Sequence, residues 1–565
     1  MKSKVNKIVI LGGGAAGWFT AGYLKVKNPE IDITLIESEK VGIIGVGEST
    51  VPPLKDFFLE MGITERDWMA ESNSIYKLGN KFVGWNKEGN RHHVTNHWHC
   101  SKFDEQYFSF SWALPEKQIT ASYYNQLTTE DLYTNSDGDP GVDDKWNDYW
   151  LQSLRDGSSN WWEISEDTTE QCFLMDNIKA PFDMDDRPLL GTYNSYAWHV
   201  DAERFPEIVK DRAAIPNGVK HVWGHVAEIQ KDDNGYITKL VLEDGSEHEA
   251  DLFCDATGFN RVLTGTMDNG WHDYEHIFTR DAIVGPVKYN DVYNEMRPYT
   301  QSYAQDYGWN FIIPLFNRMG SGYIFDRNEI SPEQAMEDFK KYWDGYEFIK
   351  EPRHISWESG RMETPWNKNV VGIGMAGAFV EPMEANSLYV AQICIQLVNK
   401  IINRAKDNNE DIIQPSAMHA FNKNMCKLED GIADFVSFHF TLSNREDTTF
   451  WKKVKQYGIE HKHKEQNWEH YRKPINHLGN SVYADMMWAM MGVYMDKFDD
   501  DVELNVRPEL MEIAKIKFKY IHDSSKAISN YAPHAYDWHR KLLYNDMTYE
   551  EVLEKALAKV SRNLY

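Results

Sequence analysis

Cysteine is scarce: five residues in a chain of 565 (Cys100, Cys172, Cys254, Cys394 and Cys426), widely spaced and without a CxxC pair. An odd, sparse set of this kind argues against a disulfide framework and fits a reducing compartment. Long apolar runs are missing too. The longest, about Val370 to Val380, is broken by glycine and falls far short of the roughly 20 residues that a membrane span needs. The N-terminus carries Lys2, Lys4 and Lys7 and passes straight into the strand-like Ile8 to Leu11, with no apolar region or cleavage signal of a secretory leader. A cytoplasmic protein without membrane contact is expected. No Lys/Arg-rich run offsets the balance of 60 Lys+Arg against 87 Asp+Glu, a net charge of −27 that would repel a polyphosphate, so nucleic acid is not expected as a partner.

Aromatic residues are plentiful, with 20 Trp, 30 Tyr and 26 Phe, a supply that suits planar ligands and large aromatic cores alike. The first fifty residues read strand, glycine turn, helix, strand. Lys7 to Leu11 is a β-run; Gly12, Gly14 and Gly17 follow in GxGxxG spacing, with Ala15 and Ala16 opening a helix whose apolar face runs through Trp18, Ala21 and Leu24. A second run, Ile33 to Ile36, ends on Glu37, 20 residues after Gly17, where a dinucleotide fold places a carboxylate on the adenosine ribose. Glycines let the backbone approach a pyrophosphate, which then sits on the positive end of the helix. Gly372, Gly374 and Gly377 repeat the spacing, but Pro382 interrupts the start of any helix there and no acid stands at the ribose distance, so no separate nicotinamide domain is expected. Asp251 to Asn260, with Asp255, Thr257 and Gly258, reads as a return of the chain to the first sheet. A loop-rich insertion is expected from about 85 to 195 within a nucleotide-binding domain of residues 1–400. Helical periodicity then marks a C-terminal helical region over 401–565.

Several residues are placed to carry chemistry. Gly45 to Phe58 sets Gly45, Gly47 and Glu48, followed by Ser49 and Thr50, before a helix started by Pro52 and Pro53, a turn able to track along the edge of a flavin. Lys77 lies on a strand-like stretch between Tyr76 and Leu78; desolvation there would lower its pKa and make the amine nucleophilic, whereas most lysines, with Lys81 as the natural example, are solvated surface charges. Glu384 precedes Asn386 and Ser387, either of which would cap a helix whose first amides form a small anion site; a first-turn acid favoured by the helix dipole is the competing reading. Trp309, Phe311 and Ile313 alternate before Pro314 and share one strand face, either as a wall at a cofactor edge or as ordinary core. His92, His93, His97, His99 and Cys100 lack a carboxylate or second cysteine at ligand spacing, so no metal is expected. Met486, Met487, Met490, Met491 and Met495 read as helical core.

In this order, the pieces resemble the flavin-dependent halogenases of the tryptophan-halogenase type. The resemblance rests on GGGAAGW (Gly12 to Trp18), GVGEST (Gly45 to Thr50), Lys77 in IYKLGNKFVGW, DATGF (Asp255 to Phe259), GWNFIIP (Gly308 to Pro314), FVEPMEANSLY (Phe379 to Tyr389) and FVSFHFTLSNREDTTFW (Phe435 to Trp451). It implies an α/β fold with a Rossmann-like, GR2-type, flavin monooxygenase-like domain and an added helical layer. It also implies that Gly12, Gly14, Ala15, Ala16, Gly17 and Glu37 hold the adenine half of FAD, and that Gly47, Glu48, Ser49 and Thr50 belong to a strap over the flavin ring. Reduced FAD, oxygen and halide would form hypohalous acid, delivered to Lys77 and from there to an electron-rich aromatic ring, with Glu384 polarising the halogen donor or taking the ring proton. Halide would rest near Asn386 and Ser387, and Trp309, Phe311 and Pro314 would separate flavin from substrate. The implied partners are a separate NAD(P)H-dependent flavin reductase and a small indole- or phenol-like substrate, the protein being a monomer or homodimer. Two departures stand out: Phe311 replaces the family's second motif tryptophan, and Glu384-Ala385-Asn386-Ser387 replaces its Glu-Ser-Thr-Gly, which leaves chloride, bromide and iodide all open. A flavin monooxygenase that hydroxylates its substrate is the alternative.

Overall fold

A computed structural model describes residues 5–40, 47–85, 107–111, 149, 152–153, 155–158, 171–190, 196–461, 504, 506 and 508–562. The histidine cluster, the methionine stripe, Gly45 and most of the expected insertion lie outside these residues. The chain divides into two compact units, each assembled from three segments. The first comprises Met1–Ser74, Val200–Arg280 and Ile355–Val436; the second comprises Ile75–His199, Asp281–His354 and Ser437–Tyr565. Both draw on residues before and after 400, so the division is interleaved.

The first unit is built on a six-stranded sheet in the order Trp366–Asn367, Val370–Gly372, Leu252–Asp255, Lys7–Leu11, Asp32–Glu37 and Lys220–Trp223. All neighbours run parallel except the outermost pair, Trp366 with Val371. A parallel sheet is covered on both faces, which is why Ile8, Val9 and Ile10 are all buried and the strands read as continuous apolar runs. The Ala15–Lys27 helix covers one face, and Phe19 meets Phe58 and Phe205, themselves stacked at 4.9 Å. On the other side Val9, Leu11, Ile36 and Phe253 pack with Ile237, Leu240 and Leu242 of a three-stranded antiparallel sheet. As expected, Leu252–Asp255 returns beside the first strand. The second glycine string enters this same sheet through Val370–Gly372 rather than starting another.

The second unit centres on a mixed sheet in which Asp281–Val287, Met319–Phe325, Gly308–Pro314, Tyr299–Gln305, Gly79–Val83 and Tyr107–Ser111 are successive neighbours. Every residue of Gly308–Pro314 is buried, as is every residue of Gly79–Val83. The helices Pro508–Tyr531, Ala535–Leu542 and Tyr549–Arg562 belong to this unit. Among the described residues no helix is long and apolar enough to cross a membrane.

Candidate active site

Three glycines shape the turn at the carboxyl end of the first strand. Gly12 adopts φ +116°, and a Cβ there would fall 2.3 Å from the Ala256 carbonyl oxygen; a Cβ on Gly17 would fall 1.9 Å from that of Gly12. Only glycine tolerates both approaches. Gly14 instead faces open space and caps the Ala15–Lys27 helix, which has neither a side-chain cap nor an acid in its first turn. Its first amides are therefore available to a diphosphate. Glu37 ends the second strand with its carboxyl beside Gly13, and its Oε2 lies 3.0 Å from His221 Nε2. Desolvation lifts the Glu37 pKa and, together with the charge of Lys210, lowers that of His221. Open backbone, uncapped helix start and half-buried acid fit the adenosine diphosphate half of FAD.

Asp255 closes this crevice from the neighbouring strand. Fully buried, it accepts from the Thr257 amide and hydroxyl (3.0 and 2.6 Å) and from the Leu263 amide (2.8 Å). It also accepts from the Thr264 amide and hydroxyl (2.7 and 2.9 Å), pinning the turn of the DATGF motif. Gly374, at φ +59°, brings the second glycine string against the first helix, where a Cβ would meet that of Ala16 at 3.2 Å. Gly47, Glu48, Ser49 and Thr50 lie in the same unit ahead of the Pro53–Glu60 helix, and desolvation pushes the Glu48 carboxyl up to about 7.

Glu384 is also in this unit, buried, and both it and Ala385 adopt left-handed backbone (φ +63° and +56°). Two consecutive non-glycine residues in that region store strain of the kind found at functional sites. The expectation that Asn386 or Ser387 caps the following helix is corrected. The double left-handed turn makes Ala385 the cap residue, and Asn386 is already helical, its side-chain amide donating back to the Met383 carbonyl at 3.2 Å. The helix start therefore carries no side-chain cap.

The second unit holds Lys77, Trp309, Phe311 and Pro314. Lys77 ends the strand Ile75–Lys77 and is fully buried. That strand pairs antiparallel with Ala197–Val200, setting Lys77 opposite Ala197 and Ile75 opposite His199, so Lys77 and His199 are diagonal neighbours on one face. His199 Nε2 lies 2.9 Å from Thr300 Oγ1. Burial, and then the charge of Lys77, hold this imidazole well below its usual pKa, against the opposing pull of the Pro314 carbonyl. A neutral histidine thus stands between the lysine and the end of the GWNFIIP strand. Sequence reading missed it; its signal was the alternation of AWHV, in which His199 falls on the Ala197 face.

Lys81 is not the solvated charge expected. Its strand is covered on both faces, so the amine is buried, forms an ion pair with Asp176 and lies 4.7 Å from the centre of the Tyr299 ring. Burial opposes its charge, and the Asp176 carboxylate outweighs that and holds the pKa above the usual lysine value. Around Trp309, Trp85 donates to the Ser302 carbonyl at 3.0 Å, and Arg445 donates to the Gly84 carbonyl at 3.0 Å while lying 4.7 Å over the Trp451 ring. Arg445, in the FVSFHFTLSNREDTTFW segment, thereby ties that segment to the end of the Gly79–Val83 strand. Among the described residues no three metal-ligating side chains converge.

The profile of the tryptophan halogenase family matches residues 7–495. The chain belongs to the tryptophan halogenase family. It is accordingly an enzyme, a flavin-dependent halogenase that uses reduced FAD and a halide and acts on an aromatic substrate, and the hydroxylase alternative is set aside. It is similar to the tryptophan 6-halogenase ThaL of Streptomyces albogriseolus, at 30% identity over 81% of this chain and 80% of that one. The tryptophan 7-halogenase RebH of Lentzea aerocolonigenes is 29% identical over 81% of this chain and 80% of its own. Among solved structures, the tryptophan halogenase of Shewanella frigidimarina superposes with a TM-score of 0.80 at 22% identity, covering 97% of this chain and 99% of that one, and so shares the fold.

Proposed function

We propose that this chain halogenates an electron-rich ring of the indole class, with Lys77 presenting the electrophilic halogen. The observation that carries the reading is a fully buried lysine beside an uncharged histidine at the end of the Gly308–Pro314 strand. An ammonium in such surroundings has lost its hydration and holds a polar reagent by directed hydrogen bonds. Bound reduced FAD supplies hypohalous acid from oxygen and halide. Lys77 Nζ hydrogen-bonds that acid and orients its halogen toward the ring. The carbon–halogen bond forms as the halogen–oxygen bond breaks, the departing hydroxide takes a proton from the Lys77 ammonium and leaves as water, and the ring proton passes to the Glu384 carboxylate. Trp309, Phe311 and Pro314 keep the ring from the flavin. The first amides of that helix, at Asn386 and Ser387, hold the halide, and the strained Glu384–Ala385 turn sets their direction. Gly12, Gly14, Ala15, Ala16, Gly17 and Glu37 hold the dinucleotide, Gly47 to Thr50 cover the flavin ring, and a separate NAD(P)H-dependent reductase supplies reduced flavin. The names of the curated relatives support an indole substrate, tryptophan or a larger molecule bearing that ring.

The test is mass spectrometry of indole and phenol panels incubated with the enzyme, FAD, a flavin reductase, NADH and an equimolar mixture of chloride, bromide and iodide. The expected result is an indole product heavier by one halogen in place of hydrogen, dependent on the reductase. A product heavier by one oxygen, or halogenated phenols with no indole product, would refute it.

A further inference from the structure

Among the described tryptophans one stands apart. Trp18, Trp68, Trp85, Trp198, Trp309 and Trp366 are almost wholly buried, whereas Trp223 is 51% exposed. It ends the outer strand of the six-stranded sheet and pairs in register with Glu37, the acid that ends the next strand; the Gly224 amide then donates to the Glu37 carbonyl at 2.9 Å. His221 and Trp223 alternate onto the same face, with ring centroids 4.8 Å apart at 55°. His221 holds the Glu37 carboxyl on one side and stands edge-on to Trp18 at 5.0 Å on the other, in the first turns of the glycine-led helix. The position of the indole is set by the chain after it: a Cβ on Gly224 would fall 2.5 Å from Leu242 Cδ1, so the strand turns away tightly at this point. A half-exposed indole is thus fixed at the carboxyl edge of a parallel sheet, beside the acid placed to take ribose hydroxyls, where such sheets bind nucleotides.

We infer that Trp223 is the platform on which the adenine ring of FAD stacks, with the His221–Glu37 pair setting the ribose beneath it. The inference rests on reading the glycine turn and Glu37 as the dinucleotide site. A purine is planar and polarisable, and stacking on an indole would cover the surface that Trp223 now leaves to solvent. Trp223 is then a binding residue specific to the adenosine half of the cofactor and indifferent to the flavin half.

Isothermal titration of the full chain with FAD, ADP and FMN, for the wild type, Trp223→Ala and Trp223→Phe, tests this without turnover. The expected result is a Kd for FAD and for ADP raised about tenfold in Trp223→Ala, toward the low end of what base–aromatic stacking contributes. Trp223→Phe should recover most of that loss, and the FMN isotherm should not change. FAD and ADP affinities within twofold of wild type in Trp223→Ala would overturn the inference, as would an equal weakening of FMN. A wild type that binds neither FAD nor ADP would instead defeat the dinucleotide reading beneath it.

Discussion

Asp255→Asn isolates the part of the flavin crevice for which the structure supports a magnitude. The wild-type carboxylate accepts five hydrogen bonds, two at Oδ1 from Thr257 and three at Oδ2 from Leu263 and Thr264. Asparagine keeps the shape but can orient only one oxygen, so its amino group must face donors on one side. The threonine hydroxyls can rotate away, and Thr264 Oγ1 already lies 3.4 Å from the Ala376 carbonyl. Backbone amides cannot. The side chain takes the cheaper orientation: with its oxygen on Leu263 and Thr264, only the Thr257 amide is left unpaired in a buried site, at about 1–3 kcal/mol, so the first unit should lose about 2 kcal/mol of stability. The reverse orientation would orphan both the Leu263 and the Thr264 amides. Urea unfolding, with hydrogen exchange at Thr257, measures the loss. Faster exchange at that amide and weaker FAD binding are expected together, because the same bonds pin the DATGF turn. A variant as stable as wild type, with the Thr257 amide still protected, would refute the reasoning.

Two further outcomes are expected. The buried Lys81–Asp176 pair should behave as an obligate couple: Lys81→Met or Asp176→Asn alone should cost about 3–5 kcal/mol by leaving an uncompensated charge, while the double variant should recover most of it in a denaturation cycle. Glu429 is buried and its carboxyl is pushed up to about 8, chiefly by desolvation. Between the ordinary carboxyl range and about 8 the unfolded chain releases this proton while the folded chain retains it, so stability should fall as pH rises through that window. Denaturation of wild type and Glu429→Gln at pH 5 and 8 checks this; the variant should show the smaller loss, and equal slopes would contradict it. Comparing the two proteins at each pH separates Glu429 from Lys55, whose amine, desolvated and lowered to about 7, acts with the opposite sign above that pH.

The first strand, the glycine turn, Glu37 and the return of Leu252–Asp255 were legible because each is local. A β-branched run, a backbone that only glycine accepts and a fixed ribose spacing leave one reading. Lys81 and Lys77 show where this stops. They sit four residues apart with similar neighbours, and only the helix Gln171–Asp176 and the strand Ala197–Val200, each some hundred residues away, decide that both are buried and what each one meets. The helix cap was misjudged for a related reason. Asn386 and Ser387 have the chemistry of cap residues, but the strained turn at Glu384 and Ala385 claims the cap position first. His199 and His221 were missed because their roles come from partners brought alongside by strand pairing, across 101 residues for Thr300 and 184 for Glu37.

The most direct test of the central claim is the halogenated product formed per oxygen consumed in Lys77→Ala and in Lys77→Met, the latter filling the volume that the shorter side chain would empty. If Lys77 presents the halogen, both variants should bind FAD with wild-type affinity and consume oxygen, release oxidised halide to a soluble scavenger, and lose the aromatic product by at least about a hundredfold. Wild-type product yields from either variant would contradict the account.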